Sequence, residues 1–121
     1  MGSVNFQHVE SVFTYLEQQI KMALTINRSC KEDNQVTLTL EGRLDTSTAS
    51  QLEQEIQALE NASCLTMDFE KLDYLSSAGL RVILMAQKKM NRYGKMILIH
   101  VNETIMEVFE VTGFIDILTI E

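Results

Sequence analysis

The run DFEKLDYLSSAGLRVILMAQKKM, residues 68–90, brings two hydroxyls together, Ser76 and Ser77, between an acidic stretch and a long apolar one. A serine where a strand hands over to a helix has two chemical uses. Its oxygen can accept from the unpaired N–H groups of the first turn, worth about 1 kcal/mol. Its hydroxyl can also take a phosphate, whose charge of about −2 suits the positive end of the helix dipole. Ala78 and Gly79 are small, which would let another protein's backbone approach the same turn. Hydrolase chemistry fits poorly. Ser77 is not in a G-x-S-x-G elbow, and the run lacks the lysine and spacing of a phosphate-binding P-loop. His100, Asp45, Asp68 and Asp73 are scattered without ligand spacing. Catalysis, a metal and a cofactor are therefore not expected.

The elements that position these serines follow from periodicity. Residues 4–21 place Phe6, Val9, Phe13, Leu16 and Ile20 on one helical face. From residue 22 the pattern changes to alternation. Met22 could itself be a translational start, and a boundary is placed there: a helical extension over 1–22 and a domain over 23–121. Leu24 and Ile26 alternate with polar residues, KEDN makes a turn, and Val36, Leu38 and Leu40 alternate again, which reads as a hairpin. The spacing predicts a helix from Thr46 or Ser47 to Asn61, capped by Asp45, Thr46 or Ser47. CLTMDF reads as a short strand and EKLDYLS as a loop. A helix from Ser77 to Arg92 follows, ended by Gly94. KMILIHV reads as a central strand buried on both faces. Asn102 caps a short helix, and FIDILTI makes a last strand.

The order is β-β-α-β-α-β-α-β, an α/β fold with a largely parallel, mixed sheet. Leu80, Ile83 and Leu84 should face that sheet, with Leu98 and Ile99 in its centre. The helices should cover it without help from the extension. The apolar face of residues 4–21 then needs its own cover: the domain, a second copy of the chain in a homodimer, or another protein.

At 121 residues the chain suits one domain. Its net charge of −7 argues against nucleic acid, which needs clustered Lys and Arg. The densest basic group, Lys88, Lys89, Arg92 and Lys95, reads as a solvated face. Cys30 and Cys64 form no CxxC pair and read as free thiols in a reducing cytoplasm. No apolar run approaches the ~20 residues of a membrane span. The N-terminal residues lack a signal-peptide pattern.

Three blocks, EGRLDTSTASQLEQEI, LTMDFEKLDYLSSAGLRVIL and VFEVTGFIDILTI, resemble in order and spacing the STAS domain of bacterial anti-sigma factor antagonists. The resemblance covers about residues 23–121. It implies a non-catalytic, cytoplasmic switch protein. Such antagonists capture an anti-sigma factor that is also a serine kinase and so free a sigma factor. The kinase phosphorylates and releases them, and a PP2C-type phosphatase resets them. By the same resemblance Ser77 is the phosphoacceptor, with Ser76 the second candidate. Asp45, Thr46, Ser47, Ser76, Ala78, Gly79 and Arg81 become partner contacts. Members often carry Asp where this chain has Ser76, and Ser where it has Ala78. The alternative is a STAS docking module that works without phosphorylation.

Overall fold

The computed structural model describes residues 23–121. The helix expected over 4–21 lies outside the described residues. Strands β1 (Leu24–Lys31) and β2 (Gln35–Leu44) pair antiparallel in register Leu24↔Gly42 to Lys31↔Gln35. The single 3₁₀ turn between them, Glu32–Asn34, puts Asp33 and Asn34 at φ 64° and 58°. Asp and Asn tolerate that left-handed conformation better than most residues, which is why this turn forms here.

Strands β3 (Cys64–Leu75) and β4 (Lys95–Ile99) complete a four-stranded sheet in the order β1-β2-β3-β4, with β2–β3 and β3–β4 parallel. Helices α1 (Ala49–Gln57) and α2 (Ser77–Tyr93) are the crossovers, and α3 (Glu103–Thr112) follows β4. Because the strand order never reverses, connections of one hand bring these helices to one face. That face holds the core. Val36, Leu38 and Leu40 lie beside Leu65, Met67 and Phe69, then Met96 and Leu98, under Leu52, Ile56, Ile83, Ala86, Ile105 and Phe109.

Four details depart from the sequence reading. β3 does not stop at Phe69 but absorbs the expected loop and runs to Leu75. Two register shifts, between Thr39 and Glu41 and between Gly42 and Arg43, break the strict alternation there. Leu72 and Leu75 are buried at a spacing of three, which bulged pairing permits and regular pairing does not. β4 is not buried on both faces: Met96 and Leu98 are buried, while Ile97 and Ile99 are half-buried on the opposite face. Leu80 and Ile83 are buried as expected, and Leu84 is half-buried. The last strand shrinks to a 3₁₀ turn, Phe114–Asp116, and one parallel bridge between Ile120 and Leu98. Finally, α1 is shorter than expected and begins at Ala49.

Lys89 reaches across from α2 and donates to the carbonyls of Ile56 (2.8 Å) and Gln57 (3.4 Å), at the C-terminal end of α1. A cation there meets the negative end of the helix dipole. One member of the supposed solvated basic face thus joins the two helices, while Lys88 and Arg92 are exposed. Both cysteines are free.

Leu98 is completely buried and lies in β4 beside Met67 of β3. Leu98→Ala should lower the unfolding free energy by about 2–5 kcal/mol, through lost burial and the cavity left behind. Chemical denaturation followed by circular dichroism measures this, and a loss below ~1 kcal/mol would be at odds with a core position.

Candidate functional site

The site is built on the paired ends of two strands. β2 and β3 finish side by side at Leu44↔Leu75. The chain stays paired for one more bond, Ser76 N–H donating to the Leu44 carbonyl at 2.9 Å. Ser76 is the N-cap residue of α2, extended at φ −99° and ψ 175°, and its carbonyl accepts from Leu80 N–H at 3.0 Å. Ser77 is therefore the first residue of the helix, and it is exposed.

The capping role expected of the serines is not realised: the Ser76 side chain makes no capping hydrogen bond to α2. The Ser76 hydroxyl is buried and has no hydrogen-bond partner among the described residues. Its inward direction follows from the backbone bond to Leu44, which turns the residue toward the strand ends. The unpaired N–H groups of the first turn are left to solvent or to a partner, with Ser77 among them.

Gly79 has a different use from the one its size suggested. It is buried, and a Cβ built on it would lie 2.7 Å from Leu44 Cγ and 2.7 Å from Leu75 Cδ1. The missing side chain makes room for the chain's own strand ends, not for the backbone of a partner. Ala78 is half-buried and packs on the core, while Arg81 is exposed.

The segment after β2 is held in a tight loop by its own polar groups. The Asp45 carboxylate accepts from Ser47 N–H (3.0 Å) and from the Ser47 hydroxyl (2.7 Å). The Thr48 hydroxyl accepts from Asp45 N–H (2.9 Å) and donates to the Arg43 carbonyl (2.8 Å). The Ser47 hydroxyl is the main reason the Asp45 carboxyl lies below its ordinary value, and the Arg43 charge adds to it. Thr46 and Ser47 are exposed on the outside of this loop. The structure thus brings Asp45, Thr46, Ser47, Ser76 and Ser77 to neighbouring positions at one end of the sheet.

Three residues of this region were not singled out from the sequence. Thr48 is completely buried and anchors the loop. The Asp-x-x-Thr spacing of 45–48 was a usable signal, because it is the spacing of reciprocal caps. Arg43 lies with its guanidinium 4.2 Å from the centroid of Tyr74 and 3.6 Å from Asp45 Oδ2. The pairing Arg43↔Tyr74 follows from the bulged register, which strict alternation conceals.

Elsewhere, His100 and Asp68 are not scattered as the sequence suggests. Its Nδ1 is 2.8 Å from Asp68 Oδ1, and Asp68 Oδ1 also accepts from Glu70 N–H at 3.0 Å. Ligand-type atoms of Asp68, Glu70 and His100 all lie within 4.8 Å of one another. The hydrogen bond to Asp68 and the Asp68 charge raise His100 above its ordinary 6.5. Burial pushes the Asp68 carboxyl up, but the Glu70 amide and His100 outweigh it and hold it below 3.8. This pair ties His100 to β3.

A sequence profile described as "Mlab, STAS domain" matches residues 28–119. A Bordetella bronchiseptica protein, BtrV, classed by its name with the anti-sigma factor antagonists, is 35% identical over 99 residues, covering 79% of this chain and 83% of its own. The crystal structure of an anti-sigma factor antagonist from Mycobacterium paratuberculosis superposes with a TM-score of 0.73 at 20% identity, covering 80% of this chain and 84% of that one. The phosphorylated form of the Bacillus cell fate determinant SpoIIAA superposes with a TM-score of 0.63 at 20% identity, covering 80% and 91%. Fold and profile together define a mixed α/β domain with a helix-start loop at one end of its sheet. The chain belongs to the STAS domain family.

Two measurements follow from the site's geometry. Thr48→Val keeps the shape of the side chain but leaves the Asp45 amide without its acceptor. It should cost about 1–3 kcal/mol in unfolding free energy, and parent-like stability would show that the loop does not rely on this hydroxyl. The charge attraction between His100 and Asp68 needs a protonated imidazole and an ionised Asp68. It contributes between the lowered Asp68 value and the raised His100 value, fading as pH rises through the latter or falls through the former. NMR titration of His100 should give a midpoint above 6.5, moving back down in Asp68→Asn. An unchanged midpoint in that variant would remove Asp68 as the cause.

Proposed function

We infer that this chain is an anti-sigma factor antagonist controlled by phosphorylation of Ser77. The unphosphorylated form captures an anti-sigma factor with serine kinase activity in the cytoplasm, so that a sigma factor is released. Phosphorylation by the captured kinase ends the complex, and a PP2C-type phosphatase restores the free form. The observation that carries this reading is the contrast between the two serines. Ser77 is exposed at the first position of an uncapped helix, beside the exposed Thr46–Ser47 loop, whereas the Ser76 hydroxyl is buried. The similarity to BtrV supports the partner class.

The chemistry of the switch is local. A phosphate on Ser77 meets the positive end of the α2 dipole, so the free protein tolerates it. The same charge, placed in a packed interface, meets repulsion and desolvation. The phosphate therefore acts on the complex and not on the fold. Asp45, Thr46, Ser47, Ala78 and Arg81 surround that interface and would contact the partner. Gly79 acts from within by seating Leu44.

Incubation with the cognate kinase and ATP should add one phosphate to the parent chain and none to Ser77→Ala, as read by intact mass. Ser77→Ala should keep parent-like capture of the kinase, and Ser77→Asp should weaken it by about tenfold or more, equivalent to ~1.4 kcal/mol. Phosphate still added to Ser77→Ala would move the acceptor to Ser76. Stable capture with no phosphate added to any form would leave a docking module in place of the switch.

A further inference from the structure

Asp68, Glu70 and His100 bring metal-ligand atoms together, and none of the three belongs to the serine turn or the Asp45 loop. The sheet register builds this cluster. Asp68 pairs with Ile99, the last residue of β4, so His100 follows directly beside Asp68. Its ring turns back to set Nδ1 2.8 Å from Asp68 Oδ1. The bulge in β3 does not carry Glu70 away. Its N–H donates to Asp68 Oδ1 at 3.0 Å, and the donor atoms of all three residues stay within 4.8 Å of one another. Two carboxylates thus face one imidazole. Among the described residues no Lys or Arg nitrogen comes within ion-pair distance of either carboxylate. Asp68 Oδ2 and both Glu70 carboxylate oxygens accept no hydrogen bond from a described residue.

We propose that Asp68, Glu70 and His100 bind a divalent transition-metal ion of the Zn²⁺ class. One oxygen of each carboxylate and Nδ1 of the imidazole are its three protein ligands, and water fills the remaining positions. The first argument is donor chemistry. An imidazole among carboxylates suits Zn²⁺ and its neighbours, whereas Mg²⁺ and Ca²⁺ take oxygen alone. The second is spacing. Two donors each about 2.0–2.2 Å from a tetrahedral zinc lie about 3.4 Å apart. Nδ1 and Oδ1 are already close to that separation, and Glu70 is exposed, so its flexible side chain can close the remaining distance. The third is exchange. The ion takes the place of the proton that Nδ1 shares with Asp68, and that proton leaves to solvent. The Glu70 amide stays on Oδ1 and keeps the carboxylate oriented. Asn102, two residues after His100, donates from Nδ2 to the Leu72 carbonyl at 3.1 Å and caps α3 through Ile105 N–H. A bound ion would add a second tie between β3 and this turn.

The chain has two histidines and two cysteines, so the test reads His100 itself. Zinc chloride is added to the full chain and followed by NMR of the imidazole nitrogens. The Nδ1 signal of His100 should shift and saturate near about one equivalent. Glu70→Gln and Asp68→Asn should each raise the zinc concentration required by about tenfold or more. Magnesium chloride at the same concentrations should leave His100 unmoved. Glu70 is exposed, so Glu70→Gln should keep the parent fold. As a second measurement, zinc should raise the thermal midpoint of the parent and not that of Glu70→Gln. A His100 signal unmoved by zinc would overturn the proposal, since the ion would then sit on His8 or the thiols. So would equal shifts in parent, Glu70→Gln and Asp68→Asn, or an equal response to magnesium.

Discussion

The bond from Ser76 N–H to the Leu44 carbonyl is the constraint on which the site depends. It extends the parallel pairing of β2 and β3 one residue past the end of the sheet. By doing so it places the start of α2 against the start of the Asp45 loop. Gly79 then lets Leu44 sink between helix and strand, where a methyl group would collide with it. Thr48 closes the loop from the other side by bonding both Asp45 and Arg43. The outward position of Ser77 follows from these contacts, since the residue before it is pinned inward. Helix geometry does the rest: one residue past the N-cap, the side chain leaves the strand ends.

Much of this architecture was legible in the sequence because its signals are periodic. Val36, Leu38 and Leu40 alternate, and Leu80, Ile83 and Ala86 recur at helical spacing, so elements and their order could be read. The three-block resemblance pointed to the same fold. The misreadings share a physical cause, which is that local patterns do not report irregular pairing. Bulges beside Glu41 and Arg43 let β3 continue with buried residues three apart, and the result looked like a loop. The run KMILIHV seemed buried on both faces because Ile97 and Ile99 are apolar, yet no described helix covers them. Of the site, the exposed serine and the Thr46–Ser47 loop could be named in advance. The side-chain direction of Ser76 could not, because a backbone bond to a residue thirty-two positions earlier decides it.

The fold and the proposed switch rest on separable physics. Core burial holds the sheet to its helices and involves no ionised group of the site. The site's polar groups hold a loop of a few residues, with Asp45 kept anionic by a serine and a nearby guanidinium. A charge added to Ser77 can therefore change what the surface accepts while leaving the core packing alone. Structures near 20% identity to this chain share the fold with TM-scores of 0.63 and 0.73, so the core pattern tolerates extensive change in residue identity. In the proposed switch, recognition of a given partner would reside in exposed positions such as Thr46, Ser47, Tyr74 and Arg81.

The two rims of the sheet are closed by different means. β1 presents mostly exposed side chains, Arg28 and Lys31 among them, and charged residues discourage a neighbouring molecule from adding a strand. β4 has no such protection, since four of its five residues are apolar. Its rim is occupied instead by the bridge at Ile120, where Leu98 N–H donates to Thr119 and Glu121 N–H donates to Leu98. A few residues of extended chain thus act as a plug on the most adhesive rim of the domain. Losing them would remove Ile120 from the margin of the core, and it would turn the folded domain into a template for strand-by-strand assembly.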